Sequence, residues 1–264
     1  MKAVSNNDIV IRYREDGRRD GPVLLFSNSL GTDLQVWDKV VPAFTGDFRV
    51  LRYDTRGHGL SDAPAAPYSL DDHVGDMLAV MDDAGVERAI LVGLSVGGLI
   101  AQGVAARAPE RVRALVLSNT AHRIGSVESW TQRMDAISAG GIASIADAIL
   151  ERWFSAAFRR ERAAELAVWR NMLVRTPAQG YLGTCAALRD GDLTAAAARI
   201  AVPTLCLAGS EDGATPPDLV RSTAGLIPGA RFHLIDGAGH IPGVENPEAV
   251  IAAIRTFLKE NDLV

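Results

Sequence analysis

The residues with the types and spacing to do chemistry begin at Gly93-Leu94-Ser95-Val96-Gly97, a G-x-S-x-G pattern. A serine hydroxyl is a weak nucleophile at neutral pH and needs a nearby base to take its proton. Histidine suits the task because its ordinary pKa, about 6.5, lies near working pH. A carboxylate behind the imidazole then fixes its tautomer and stabilises the imidazolium. Of the five histidines, His240 alone follows a terminal strand within a glycine-rich turn, Gly237-Ala238-Gly239. His73 falls in a helical pattern and His233 inside a strand, which points to structural roles, while His58 and His122 sit on loops and are weaker candidates for the base. For the acid, Asp212 follows the next-to-last strand on a loop that reaches toward His240. Glu211 beside it is the chief rival, and Asp236 reads as a turn residue. The alternative place for an acid, after the strand ending at Leu117, offers Ser118-Asn119-Thr120 and no carboxylate. The expected order along the chain is nucleophile, acid, base: Ser95, Asp212, His240.

These side chains need elements to hold them. Arg88-Ala89-Ile90-Leu91-Val92 is a short apolar run that reads as a buried strand, and Gly98 to Arg107 is small and apolar, as a helix packed on a sheet would be. Strand, sharp turn, helix is the context in which a serine is presented on a nucleophile elbow. The backbone N–H of Val96, directly after the serine, is then one donor to a developing oxyanion. The other is expected from the loop Asn28-Ser29-Leu30-Gly31 after an earlier strand, at the N–H of Leu30.

The remaining chain alternates between strand and helix patterns. Ile9 to Arg14 alternates apolar and polar residues like an edge strand, and Pro22 to Ser27 and Phe48 to Tyr53 read as further strands. A helix capped by Thr32 or Asp33 is expected through Trp37 and Val40 toward Phe44, and Ser69 caps another that carries Leu70, Val74, Met77, Leu78 and Met81. Val112 to Leu117 is a strand; after it the alternation stops. From Thr120 to Arg199 only helical periods occur, around Trp130-Met134-Ile137, Ile145-Ile149-Trp153 and Leu166-Trp169-Leu173. Strands resume at Val202 to Ala208 and Arg231 to Ile235, and a closing helix begins near Asn246-Pro247. Such alternation argues for a mainly parallel sheet covered on both faces, and the helical stretch for a lid over its carboxyl ends, where ligands bind.

Composition sets outer limits. A chain of 264 residues, 48% of them hydrophobic, can bury a sizeable core, and its net charge of −5 carries no basic stripe for nucleic acid or an anionic membrane. Cys185 and Cys206 show no metal or redox spacing, which favours a reducing compartment. The first residues lack the apolar run of a signal peptide, and no other stretch is long and apolar enough to span a bilayer. The expectation is a cytoplasmic protein with no nucleic-acid or membrane partner.

With these residues in hand, the chain resembles α/β-hydrolases from end to end, and among them the 3-oxoadipate enol-lactonases of aromatic catabolism. The resemblance is carried by Ser27-Asn28-Ser29-Leu30-Gly31-Thr32-Asp33 with Trp37, Arg52-Tyr53-Asp54-Thr55-Arg56-Gly57-His58-Gly59, and Gly93-Leu94-Ser95 with Gly97-Gly98. Ser118-Asn119-Thr120-Ala121, Glu151-Arg152-Trp153-Phe154, Gly180-Tyr181 and Cys185-Ala186-Ala187-Leu188-Arg189-Asp190 complete it. Where many hydrolases of the fold have His-Gly, Asn28-Ser29 stands here, as it does in the enol-lactonases. The resemblance implies a mostly parallel sheet flanked by helices, with a core of residues 1–120 and 200–264 and a helical lid, 121–199, inserted after the sixth strand. It also implies hydrolysis of 3-oxoadipate enol-lactone through a Ser95–His240–Asp212 triad, with no metal and no organic cofactor. The partner it implies is a small molecule, an enol-lactone bearing a carboxylate.

A buried carboxylate needs a cationic or multiple-donor partner. Arg133 and Arg152 in the lid are candidates, with Arg123 at its hinge, although each also fits a solvated helix face. Trp130 and Trp153 are candidates to line the pocket, although tryptophans at helical spacing also serve as packing. The competing functions are another lidded triad hydrolase (a carbon–carbon bond hydrolase, an esterase or a perhydrolase) and a non-enzymatic small-molecule receptor.

Overall fold

A computed structural model describes all 264 residues. Eight strands form one sheet: β1 (Lys2–Asn6), β2 (Ile9–Gly17), β3 (Val23–Ser27), β4 (Arg49–Tyr53), β5 (Ala89–Leu94), β6 (Val112–Ser118), β7 (Thr204–Gly209) and β8 (Arg231–Ile235). Their order is β1-β2-β4-β3-β5-β6-β7-β8; β1 and β2 run antiparallel to their neighbours and the rest are parallel. Every residue of β3, β5 and β7 is buried, as expected of parallel strands covered on both faces. β1 is absent from the sequence reading, because Lys2–Asn6 is short and mostly exposed; it is held by its pairing with β2 and by the Asn6 amide, which donates to Asp76 of the following helix at 2.8 Å.

Before β6 the helices that cover the sheet are α1 (Leu70–Asp83) and α2 (Val96–Arg107). Between β6 and β7 the chain is wholly helical: α3 (Val127–Gly140), α4 (Ala146–Trp153), α5 (Ala156–Glu161), α6 (Ala163–Arg175), α7 (Ala178–Asp190) and α8 (Thr194–Ala197). The chain closes with α9 (Pro217–Leu226), α10 (Pro242–Glu245) and α11 (Pro247–Glu260). Ser69 caps α1 in a reciprocal capping box with Asp72. The helix expected from Asp33 to Phe44 is instead two short 3-10 turns, Leu34–Trp37 and Val41–Ala43. Asp33 caps the first, but Pro42 has no N–H to continue an α-helical ladder through the second.

Two features place the site. The chain steps from β3 to β4 on one side, then crosses to β5 on the other, so the carboxyl ends of β3 and β5 flank the point where strand order reverses. Ser27 pairs in register with Gly93, which puts the Asn28–Gly31 loop beside the serine turn. One contiguous apolar core joins the sheet to Trp130, Ile137, Trp153, Trp169 and Tyr181 of the helical insertion. No helix is long and apolar enough to cross a membrane.

Candidate active site

Ser95 directly follows the buried strand β5 with φ 56° and ψ −118°, a backbone that non-glycine residues seldom adopt. The turn is cramped: a Cβ at Gly93 would lie 2.3 Å from the carbonyl oxygen of Gly97, and one at Gly97 would lie 2.6 Å from that of Ser27. Backbone strain of this kind persists only where the surroundings enforce it. Here Ser95 N–H donates to the Ser118 carbonyl at 3.0 Å, and the Thr120 hydroxyl donates to the Ser95 carbonyl at 2.6 Å. The serine side chain faces a cavity of about 630 Å³.

Asp212 and His240 come together because the loops after β7 and β8 are joined by backbone bonds, Ser210 N–H to Ile235 O at 3.0 Å and Glu211 N–H to Ala238 O at 2.9 Å. His240 Nδ1 lies 2.9 Å from Asp212 Oδ2 and 3.1 Å from Oδ1. The carboxylate also accepts from the N–H groups of Ala214 and Thr215, the Thr215 hydroxyl and the Asn119 amide, at 2.6 to 2.9 Å. Burial pushes the Asp212 carboxyl up, but the imidazole charge and these donors outweigh it and hold the group below the ordinary carboxylate range. An ionised carboxylate at Nδ1 leaves Nε2 of His240 with a lone pair that can accept a proton. Neither that Nε2 nor the Ser95 hydroxyl has a hydrogen-bond partner within the protein, and both residues line the cavity.

The rival acid and bases lie elsewhere. Glu211 is exposed and accepts from Ala156 N–H, away from His240, and Asp236 is an exposed turn residue. His122 bonds Thr223, His73 is buried beside Thr184, and His233 is exposed on β8. His58 is buried, with both ring nitrogens on backbone groups.

In the loop after β3, the N–H groups of Ser29 and Thr32 are taken up by Thr32 Oγ1 and the Ser29 carbonyl, and that of Gly31 by His58. The N–H of Leu30 has no partner, nor has that of Val96 at the start of α2, and Leu30 borders the cavity beside Ser95. Two N–H groups without partners, one on a loop that borders the cavity with Ser95 and one directly after Ser95, are donors of the kind an oxyanion needs.

The helical insertion supplies the far wall, with Trp130, Arg133, Arg152, Trp153 and Tyr181 all lining the cavity. Both tryptophans are buried packing residues as well, and the Trp130 indole donates to the Ile124 carbonyl. Arg133 is half-buried with its guanidinium 4.6 Å from the Trp130 ring centroid and has no carboxylate partner. Arg152 is exposed, and Arg123 is held by Asp192 at 3.5 Å. The Tyr181 hydroxyl is buried at the cavity without a well-formed hydrogen bond, with the Arg133 guanidinium nearby. The insertion is tied to the loop of His240, whose N–H donates to the Trp153 carbonyl at 2.8 Å. Sequence reasoning gave no role to Asn119, Thr215 or Tyr181. Asn119 showed in the sequence only as part of the acid-free Ser118-Asn119-Thr120 stretch after β6, which also belongs to the family resemblance.

A buried serine on a strained strand–helix turn, with an Asp–His pair on later loops of the same sheet, defines the class. The chain belongs to the α/β-hydrolase fold family, whose model matches residues 22–180. Within that family it is similar to enol-lactonases. It is 33% identical over 252 residues to 3-oxoadipate enol-lactonase 2 of Acinetobacter baylyi, covering 96% of this chain and 94% of that one. The crystal structure of the enol-lactonase from Burkholderia xenovorans LB400 superimposes with a TM-score of 0.95 at 40% identity, over 98% of this chain and 100% of that one. A thermophilic esterase from Thermogutta terrifontis, with malate bound, has a TM-score of 0.91 at 26% identity, over 98% of both chains.

Proposed function

We propose that this hydrolase opens the ring of 3-oxoadipate enol-lactone to give 3-oxoadipate, a step of the β-ketoadipate route of aromatic catabolism. The observation that carries the reading is a Ser95–His240–Asp212 constellation at one end of a cavity whose far wall holds the uncompensated cation Arg133. In this reading residues 121–199 form a lid on a core of residues 1–120 and 200–264.

His240 takes the Ser95 proton as the oxygen attacks the lactone carbonyl, and the Leu30 and Val96 N–H groups bind the resulting oxyanion. Each such donor is worth about 10²–10³ in rate. Collapse breaks the ring C–O bond and expels an enol oxygen, whose charge delocalises, so it leaves more readily than an alkoxide. The proton held by His240 passes to it, and the enol relaxes to the ketone. Water, deprotonated by His240, then attacks the acyl-enzyme; the second tetrahedral intermediate releases 3-oxoadipate and returns the proton to Ser95. Arg133 holds the substrate's remote carboxylate throughout.

The test is ring opening of the purified enol-lactone, with Ser95→Ala as control and p-nitrophenyl acetate in parallel. Turnover of the lactone well above the ester, abolished in Ser95→Ala, supports the reading. Lactone turnover that survives Ser95→Ala overturns the mechanism, and turnover of the ester alone overturns the substrate.

A further inference from the structure

His58 is a buried titratable group that the mechanism above does not use. It sits in the loop after β4, 1% exposed, with its own backbone pinned on both sides: its N–H donates to the Thr55 carbonyl at 3.0 Å, and its carbonyl accepts from Ser61 N–H at 3.1 Å. Its Nδ1 lies 3.0 Å from the Arg56 carbonyl oxygen. A carbonyl oxygen can only accept, so Nδ1 carries the proton and Nε2 presents a lone pair. That lone pair accepts the Gly31 N–H at 2.9 Å.

Gly31 directly follows Leu30, whose N–H is the unpaired donor of the loop. At φ 77° Gly31 occupies the left-handed region, where glycine is at ease but which nothing in a glycine backbone enforces. The rest of the loop is closed on itself or on its neighbour: Ser29 with Thr32, and Asn28 with the backbone of Thr55 at 3.2 Å. Two linkages therefore join the Asn28–Thr32 loop to the loop after β4: Asn28 to Thr55 at its start, through two hydrogen bonds at 3.2 and 3.3 Å, and Gly31 to His58 beyond Leu30. Only the second fixes the peptide on the far side of the donor. Burial pushes the His58 imidazole down to about 4, which keeps Nε2 an acceptor throughout the neutral range.

We infer that His58 is a positioning residue for the oxyanion hole, holding the Gly31 N–H through Nε2 so that the Leu30 N–H stays aimed at the oxygen of the reacting carbonyl. This rests on the reading of Leu30 as an oxyanion donor but not on the identity of the lactone. It is therefore tested on p-nitrophenyl acetate, which needs the same hole whatever the natural substrate.

The variants are His58→Leu, which keeps bulk and removes the acceptor, and His58→Gln, whose Oε1 can reach the place of Nε2. The readouts are kcat and KM, together with inhibition by phenylboronic acid, which forms a tetrahedral anionic adduct on the serine. His58→Leu is expected to lower kcat between about 10- and 100-fold, part of the loss from deleting one oxyanion donor. KM should hold, and boronate affinity should fall by the same factor as kcat. His58→Gln is expected to restore most of both. A His58→Leu enzyme with wild-type kcat and boronate affinity overturns the proposal, as does a kcat loss that boronate affinity does not follow. If His58→Leu does not fold, His58→Gln is compared with His58→Asn, whose shorter amide reaches only the place of Nδ1. Equal boronate affinity in those two would overturn the proposal, and loss in His58→Asn alone would support it. Failure of wild type to turn over the enol-lactone while hydrolysing the ester would sink the substrate reading and leave this test intact.

Discussion

Asn119 donates its side-chain amide to Asp212 Oδ2 across 2.9 Å and to the Gly239 carbonyl at 3.2 Å, joining the end of β6 to both Asp212 and the loop that carries His240. It does so from φ 49°, a conformation asparagine tolerates better than most residues. A hydrogen bond to a charged group contributes about 1.5–3 kcal/mol. Asn119→Leu is therefore expected to lower kcat about tenfold or more, at the usual tenfold per 1.4 kcal/mol. Steady-state kinetics of the folded variant checks this, and an unchanged kcat would show that the other donors to Asp212 suffice.

The helical insertion is seated on the core by backbone rather than by side chains at one point. A Cβ on Gly180 in α7 would lie 2.2 Å from the Gly57 carbonyl oxygen, and main-chain atoms cannot swing aside. Gly180→Ala is expected to lift α7 from the loop after β4 and cost about 1–3 kcal/mol, the usual range for overpacking. Because Tyr181 lines the cavity, KM should rise too. Urea unfolding and kinetics on the same preparation measure both; wild-type stability would mean that the two backbones can separate freely.

What the sequence made legible was local or ordered along the chain. The elbow showed because its strand, glycines and apolar helix are contiguous, and the order Ser95, Asp212, His240 follows from which strand each residue follows. The relationships that stayed hidden join residues far apart: Asn119 with Asp212, Gly31 with His58, Gly57 with Gly180. No spacing rule encodes them, because each depends on which strands become neighbours. His58 reads from sequence as one more loop histidine near the sheet's end, and only its two backbone partners separate it from His240. The strand Lys2–Asn6 was missed for the complementary reason, since a mostly exposed edge strand has no apolar pattern to display.

Acid should weaken this fold from the neutral side. Burial pushes His58 down to about 4 and His73 to about 3, whereas both titrate near 6.5 in the unfolded chain. Above pH 6.5 both states hold these rings neutral, and their contribution to stability is complete. As pH falls from 6.5 toward 4 the unfolded chain takes up protons that the folded chain refuses. Each histidine then removes about 1.4 kcal/mol of stability per pH unit. Urea titrations at pH 7 and pH 5 should show a loss of roughly 4 kcal/mol from the pair. Stability that is level across that interval would contradict the burial of these rings as neutral groups.

The two arginines of the cavity wall are separated by what surrounds them. Arg133 is half-buried against Trp130, lacks an acidic partner and lies close enough to Tyr181 to act on its hydroxyl, so a carboxylate entering the cavity would meet a cation with no counter-charge. Arg152 is exposed, and its main contact near the site is its carbonyl, which accepts from Gly213 N–H at 3.2 Å. Water already solvates its charge, and an exposed ion pair adds little. Arg133→Met, which keeps the stem's packing, should therefore raise KM for the acid-bearing lactone about 10- to 100-fold, the worth of a charge-assisted hydrogen bond. Its kcat should hold, because the carboxylate is bound alike in ground and transition states. Hydrolysis of p-nitrophenyl acetate, which carries no carboxylate, should be unaffected, and Arg152→Met should alter neither reaction. If Arg133→Met instead slows lactone and neutral ester equally, the residue supports the cavity wall and the carboxylate is held elsewhere.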